Sequence, residues 1–501
     1  MSRKDAAADV SSSMPDTEPR DDDDDDDDDG LLPPSELTLL TLNCWGLEHI
    51  SSVRRQRLGE VGRRLARMRP RPQIVCLQEC WVESDFQAIR EATRHLLPHA
   101  KMYRAGVFGA GLVILSRWPF QDSSMLIFPL NGRPTAFWRG DWYVGKGVAC
   151  AVLRVGPAEG DVIHVFNTHT HAPYQKHHRD DSYACHRVAQ AWEISKLLRT
   201  ATATGRLVVA LGDFNMLPLS LPHRIITSRA PVRDLWRVLH PHSSLGPARH
   251  PAEAARNRPV PGARFNLEEN GATSDGLYNT WRWTKNAQNR LRAGRTPCPV
   301  DPDAPDERGK RLDYIFASIG LTSPESASSS RRRWVVKSAA VTLTDPHPDL
   351  GVSLSDHFAV SATIRQHSAA DGDDDDDDDD EKSRLENNTT TTTLPLSAYD
   401  EILSLVDAYT ARERSQRRYR ALHFYAALVV WAACLVAVWF APGNFVCFLL
   451  ALVGSLVLAA GLIDGLLALL FFSSELRSLD EFAWEVRNAR WAAAACPVKQ
   501  K

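Results

Sequence analysis

Two regimes of apolar patterning divide this chain. In the first, short apolar runs recur between polar stretches. Residues 37–42, 73–77, 111–115, 148–155, 162–166, 207–211, 312–316, 334–343 and 358–364 have the length and apolar content of buried strands. Residues 53–68, 85–97 and 183–198 space their apolar residues along one face of a helix. Many strands with interspersed helices predict an α+β or α/β domain over 36–366. Within it, residues 240–310 are polar, rich in Arg, Pro and Asn, and read as a long insertion.

The second regime is continuous. Residues 422–440 contain one ionisable group, His423, and residues 445–472 contain one, Asp464. Each run is long enough to cross a hydrocarbon core about 30 Å thick. Only Ala441, Pro442, Gly443 and Asn444 separate them, so 421–473 predicts a transmembrane helical hairpin. Arg412, Arg414, Arg417, Arg418 and Arg420 precede it in a basic juxtamembrane segment, 401–420, while the turn carries no charge. That bias places the body, both termini and the tail 474–501 in the cytosol. The expectation is a two-pass integral protein of the endoplasmic reticulum or another intracellular membrane.

Charge changes this picture in one respect. The net charge of −3 hides two aspartate runs, 21–29 and 373–380; without these 17 residues the remainder carries +14. The tail 1–35 and the linker 367–400 that hold the runs read as disordered. The basic remainder suits an anionic partner, either phospholipid headgroups or nucleic acid. Nine cysteines without a C-x-x-C pair read as reduced thiols. The N-terminus lacks the basic and apolar regions of a secretory signal, so the sequons at 387–390 are expected to stay unmodified.

Nearly every strand-like run is followed or opened by a polar residue of one useful kind. They are Asn43 in L-T-L-N-C-W-G, Glu79 in V-C-L-Q-E-C-W, His169 in N-T-H-T-H, and Asp213 with Asn215 in L-G-D-F-N-M. Asp313 in R-L-D-Y-I-F and Asp356 with His357 in L-S-D-H-F complete the set. Such groups are costly beside a core unless they are paired or bind metal. A hard divalent cation with phosphate chemistry explains them together. Mg²⁺ takes oxygen ligands, a role Glu79 and Asn43 fit. His357 with Asp313 or Asp356 fits proton transfer, and Asn215 and His169 can donate to phosphoryl oxygens.

Taken in this order, the motifs resemble the endonuclease/exonuclease/phosphatase superfamily over about 330 residues. The resemblance implies a four-layer α/β/β/α sandwich built on two mixed sheets. The closer resemblance is to neutral sphingomyelinases and fungal inositol phosphosphingolipid phospholipases C. It is carried by L-N-C-W-G at 42–46, G-D-W-Y-V-G-K-G at 140–147, H-R-V-A-Q-A-W-E at 186–193 and the two C-terminal spans. It implies Mg²⁺ on Glu79 and His357 as the general acid/base. It also implies Asn215 in substrate recognition, with Asp213 and His169 in the phosphate site. The implied reaction is phospholipase C cleavage of a membrane sphingophospholipid to ceramide and a phosphorylated headgroup, with anionic phospholipid as a possible activator.

Asp141 and Lys146 lie in the 140–147 stretch, which reads as a phosphate-cradling loop that gates the site or as a plain hairpin with a surface lysine. It lacks the pattern of a nucleotide-binding loop. Phe128, Phe137, Trp138, Trp142 and Tyr143 around it suit either a membrane interface or a core. His164, His177 and His178 read as ordinary surface or strand residues. A nucleic-acid phosphodiesterase is disfavoured by the membrane hairpin, and no nucleic-acid partner is expected. An inositol polyphosphate phosphatase would need more lysines near the D-x-N motif, and an inactive scaffold has no need of so complete a polar set.

Overall fold

The structure, a computed structural model, describes residues 33–174, 181–295, 299–320, 332–368 and 394–495. Both aspartate runs, the 387–390 sequons, His177 and His178 lie outside the described residues, as do 1–32 of the expected tail and 369–393 of the expected linker; the linker's ends are ordered instead, with 367–368 closing a strand and a helix that starts at Leu396 burying Ala398 and Tyr399.

The strands are β1 (Glu36–Asn43), β2 (Ile74–Gln78), β3 (His99–Tyr103), β4 (Leu112–Ser116), β5 (Phe120–Ile127) and β6 (Gly147–Arg154). They continue with β7 (Val162–His169), β8 (Leu207–Asp213), β9 (Arg233–Asp234), β10 (Asp313–Ala317), β11 (Arg332–Thr342) and β12 (Ala359–Ser368). They form two six-stranded sheets, ordered β11-β12-β1-β2-β4-β3 and β5-β6-β7-β8-β10-β9. Each sheet holds one parallel pair, β1–β2 and β7–β8.

The sheets face one another. Leu37, Leu39, Ile74, Cys76 and Ile114 of the first meet Ala149, Val165, Val209, Leu211 and Ile315 of the second. On the outer face of the first sheet, Leu40, Leu42, Val75 and Leu77 pack on α1 (Arg54–Arg67) and α2 (Glu83–Thr93) through Leu58, Val61, Phe86 and Ile89. The central strands are covered on both faces, which is why their sequences are continuous apolar runs rather than alternating ones.

The short α3 (Asp141–Val144) precedes β6, and beyond the second sheet lie α4 (Ala184–Thr202) and α5 (Leu221–Arg229). Trp192, Leu198 and Ile225 pack on Val208, Ala210 and Phe316. The architecture is therefore the four-layer α/β/β/α sandwich.

The polar 240–310 stretch is folded. After α6 (Leu235–Leu239), it folds into α7 (Pro251–Ala254), α8 (Ala263–Glu268) and α9 (Lys285–Arg292). Asn266, Asn270, Thr273 and Asn279 are buried. Their polarity serves internal hydrogen bonds: Asn270 Nδ2 donates to Asn266 Oδ1 at 2.9 Å, and Asn279 Nδ2 to the Ser355 carbonyl at 3.0 Å.

The C-terminal region comprises α10 (Leu396–Val438), α11 (Asn444–Leu466) and, after a π-helical turn at Leu467–Phe471, α12 (Phe472–Ala495). The basic segment and the first apolar span thus form one 43-residue helix. The expected tail is a helix as far as Ala495. In α10, Ala398, Tyr399, Ile402, Val406 and Tyr409 are buried, and in α12, Leu476, Leu479, Phe482, Ala483 and Val486 are buried against the body. This three-and-four spacing makes each an amphipathic helix. Glu485 ties α12 to α4 by accepting from Trp192 Nε1 at 2.7 Å and Lys196 Nζ at 2.8 Å.

The rest of α10 and all of α11 leave the body as a hairpin. Both helices are long and apolar enough to cross a membrane, and only 6% and 11% of their apolar windows are buried. Leu422, Val429, Trp439, Phe440, Phe445 and Leu456 stand more than half exposed, a pattern water does not tolerate over such an area. Gly461 and Gly465 let the helices approach: a Cβ at Gly461 would come within 2.3 Å of Ala427 Cβ. Asp464 pairs inside the hairpin with Arg420 and with His423 Nδ1, the latter at 2.8 Å.

Where α10 and α12 dock, Glu475 Oε1 accepts from the Tyr409 hydroxyl at 3.1 Å and lies 3.4 Å from His186 Nε2. Burial pushes the Glu475 carboxyl up to about 8, with the Tyr409 hydrogen bond opposing. The folded chain therefore keeps a proton that the unfolded chain releases between pH 4.5 and about 8. Its stabilising contribution is complete below that window and is lost as pH rises through it. The thermal midpoint of the detergent-solubilised protein should fall across the window, and Glu475→Gln should flatten the fall. An unchanged slope in the variant would assign the dependence elsewhere.

Candidate active site

The chemistry-bearing residues meet where the two parallel pairs end. Parallel register aligns Asn43 with Gln78, one residue before Glu79, and aligns His169 with Asp213. Antiparallel β10 places Asp313 opposite Asp213. β12 runs antiparallel to β1, so His357, just before it, returns to the same edge. Thus Asn43, Glu79, His169, Asp213, Asp313 and His357 share one end of the sandwich.

Their side chains form a connected network. Asn43 Nδ2 donates to Glu79 Oε1 at 3.1 Å and to Asp213 Oδ2 at 3.0 Å. Its amide oxygen accepts from the Trp45 N–H at 3.0 Å, so the amide nitrogen, not the oxygen, faces the two carboxylates. His357 Nδ1 is paired with Asp313 Oδ2 at 2.8 Å, and its Nε2 lies 3.9 Å from Asp213 Oδ2. Between the two carboxylates the sequence leaves open, geometry selects Asp313 as the partner of His357. Asp356 Oδ1 instead lies 3.3 Å from Ser355 Oγ.

Lys146 is no surface residue. Asp141–Val144 is a helical turn, and Lys146 Nζ is buried, donating to the Thr170 carbonyl at 2.9 Å. It sits 3.1 Å from His169 Nε2 and 3.4 Å from Asp141 Oδ1. The stretch is held by a backbone crossing: a Cβ at Gly145 would lie 2.5 Å from Gly106 N, so a side chain is excluded there. Asn215 Nδ2 shares the Thr170 carbonyl at 3.2 Å, and its N–H donates to Asp213 Oδ1 at 2.9 Å. Glu79 and Asn215 both adopt left-handed backbone, with φ of 55° and 43°. That conformation is rare for glutamate and is tolerated where its surroundings fix it.

Electrostatics separates the two histidines. Burial depresses His357, but Asp313 and Asp213 outweigh it and hold the imidazole well above its usual value. Burial, Lys146 and His357 hold His169 well below. Burial and the charge of Asp356 raise the Glu79 carboxyl, and burial raises those of Asp213 and Asp356. Asp313 Oδ1 is buried without a partner. Asp213, Asp313 and His357 present donor atoms within 4.8 Å of one another. The two carboxylates of this group, with Glu79 beside them, are the hard oxygen donors a divalent cation takes.

Several supporting residues escape a reading of motifs. Arg57 is fully buried and donates to the carbonyls of Cys44 at 3.2 Å, Trp45 at 2.8 Å and Leu354 at 2.5 Å. It joins the loop after Asn43 to the loop before His357. Its guanidinium lies 4.8 Å from the Trp45 ring centroid and 5.6 Å from that of Trp281. Ser355 Oγ donates to the Asn43 carbonyl at 2.6 Å. Gln78 Nε2 reaches Asn167 Oδ1 at 2.8 Å across the sheets. The 240–310 stretch takes part as well, since Ser274 is bridged to His357.

The family model described as Endonuclease/Exonuclease/phosphatase family matches residues 40–357, which brackets every residue of this network. The chain belongs to that family. An Inositol phosphosphingolipids phospholipase C of Schizosaccharomyces pombe is 37% identical over 456 residues, covering 91% of this chain and 94% of the relative. Sphingomyelin phosphodiesterase 2 of Homo sapiens is 36% identical over 185 residues, 37% of this chain and 42% of its own. Among solved structures, beta toxin 275-280 from Staphylococcus aureus has a TM-score of 0.41 at 15% identity, covering 65% of this chain and 99% of that one. The family and branch agree with the resemblance carried by the 42–46, 140–147 and 186–193 stretches.

Proposed function

We propose that this family member is a Mg²⁺-dependent phospholipase C for inositol phosphosphingolipids, anchored by its hairpin with body and termini in the cytosol. The observation that carries the reading is the convergence of Asn43, Glu79, His169, Asp213, Asp313 and His357 at one sheet edge. It is supported by the near full-length similarity to a relative of that name.

Glu79 is the proposed residue for the cation, next to Asn43 and Asp213. His357 already shares its Nδ1 side with Asp313, so it is a poor ligand there. Bound at Glu79, Mg²⁺ would neutralise charge on the phosphate and offset the carboxylate field that keeps His357 protonated. His357 Nε2 takes a proton from the attacking water, and Asp313 steadies the imidazolium that forms. Asn215, Lys146 and His169 supply the donors for the non-bridging phosphoryl oxygens, where charge accumulates. The water oxygen bonds to phosphorus as the phosphorus–ceramide oxygen bond breaks. The ceramide oxygen leaves on the opposite side and takes a proton from solvent water, and the hydroxide so formed is neutralised when His357 returns its proton to solvent. Arg414, Arg417 and Arg418 are exposed beside the spans and suit activation by anionic phospholipid.

The test offers inositol phosphoceramide, sphingomyelin and nicked duplex DNA to the full-length protein in mixed micelles, with Mg²⁺ or with EDTA. Metal-dependent ceramide release, fastest from inositol phosphoceramide, is expected. Cleavage of DNA alone, or of nothing, would overturn the assignment.

A further inference from the structure

The aromatic residues around the Lys146 stretch fall into two sets. Phe128 is 3% exposed and belongs to the core. Trp138 is 96% exposed, Phe108 58% and Phe137 56%, with Val107 beside them at 70%. Soluble surfaces rarely gather such residues without a partner.

These rings form one continuous path. Phe108 and Phe137 lie 6.1 and 5.3 Å from the Tyr143 ring, and Trp138 lies 5.5 Å from Phe137. Trp142 stands 5.0 Å from Tyr143 and 6.4 Å from Phe471. Phe471 closes the π-helical turn where α11 returns from the hairpin to the body. The path therefore joins the apolar spans to the mouth of the site. Its mounting is firm: the N–H groups of Val107 and Phe108 donate to the Tyr143 carbonyl at 2.7 and 3.1 Å. Tyr143 itself sits three residues before Lys146.

We propose that Val107, Phe108, Phe137, Trp138 and Trp142 enter the interface of the same bilayer that the hairpin crosses. The enzyme then takes its substrate in cis, from the membrane that anchors it. The occupant is a lipid surface because the patch is continuous, through Trp142 and Phe471, with helices that themselves need one. Tryptophan also suits the boundary between headgroups and acyl chains. This inference rests on the reading of the hairpin as membrane-spanning.

The test reconstitutes the full chain into phosphatidylcholine vesicles containing lipids brominated close to the acyl carbonyls. The fluorescence of Trp138 is isolated as the difference between the wild type and Trp138→Phe. Quenched, blue-shifted emission is expected; solvent-like emission that bromine leaves untouched overturns the proposal, and so does burial of Trp138 against a second copy. This readout does not require turnover, so it stands apart from any failure of the phospholipase assignment. A kinetic arm compares Phe137→Ser/Trp138→Ser on bilayer substrate and on a short-chain soluble analogue. Each aromatic withdrawn from the interface is worth roughly tenfold in partitioning. Bilayer hydrolysis should therefore fall by roughly tenfold or more through KM, with the soluble substrate unaffected. An equal loss on both substrates overturns the proposal.

Discussion

Replacing His357 with alanine is expected to lower kcat by roughly 10²- to 10⁴-fold, the usual contribution of a positioned general acid/base. The imidazole is fixed through Nδ1 on Asp313 at 2.8 Å, which leaves Nε2 to face Asp213 and the site. Little else in the network can substitute, because burial and Lys146 hold His169 well below its usual value, which makes it a weak base for the proton of the attacking water. KM should change little, since the proposed role of His357 is proton transfer rather than grip on the lipid. Removal of the ring also leaves the fully buried Asp313 carboxylate without its counter-charge, a change that can unfold a domain. His357→Gln, which keeps a side-chain donor toward Asp313, separates the two effects. It should melt close to the wild type and still lack turnover. Ceramide release at saturating substrate within a few fold of wild type, in a folded His357→Gln protein, would remove His357 from the chemistry.

How much of this was legible in the sequence follows from burial. β2, β4, β8 and β10 are buried at every position and appear as nearly continuous apolar runs. β3 and β5 are edge strands, and β5 (FQDSSMLI) is mostly solvent-facing, so neither carries such a signal. The polar ends of the strands were readable because a carboxylate beside an apolar run is costly unless it is employed. Which carboxylate serves His357 was not readable, since it depends on the register that sets β10 against β8. Arg57 was hidden among neighbouring arginines, because its burial is created by the Leu354 carbonyl, 297 positions away in sequence. The packing of the 240–310 stretch was hidden for the same reason: its asparagines and threonines find partners up to 76 positions away and so pack as an interior. The pattern Leu476, Leu479, Phe482, Ala483 and Val486 did announce an amphipathic helix, but its place after a membrane span invited the reading of a tail.

Changing Glu79 to glutamine should produce two effects of opposite sign, and together they identify a metal ligand. Without metal, burial and Asp356 raise the Glu79 carboxyl, so the folded protein holds a proton more tightly than the unfolded chain does. The Glu79 contribution to stability is complete below the ordinary carboxylate range and is lost as pH rises through the raised value. A neutral amide escapes that loss, so metal-free Glu79→Gln should melt above the metal-free wild type at alkaline pH. With Mg²⁺ the order should reverse. A cation that binds only the folded state raises the wild-type melting temperature by mass action, and the variant loses most of that gain. The Mg²⁺ concentration for half-maximal turnover should rise by at least the roughly 10- to 100-fold typical of losing an outer-shell partner, because a direct ligand is removed here. A purely structural role for Glu79 would shift both melting curves in the same direction and leave the Mg²⁺ titration where it was. An unshifted titration would move the cation to the Asp213, Asp313 and His357 cluster, where the pairing of His357 with Asp313 would then have to give way.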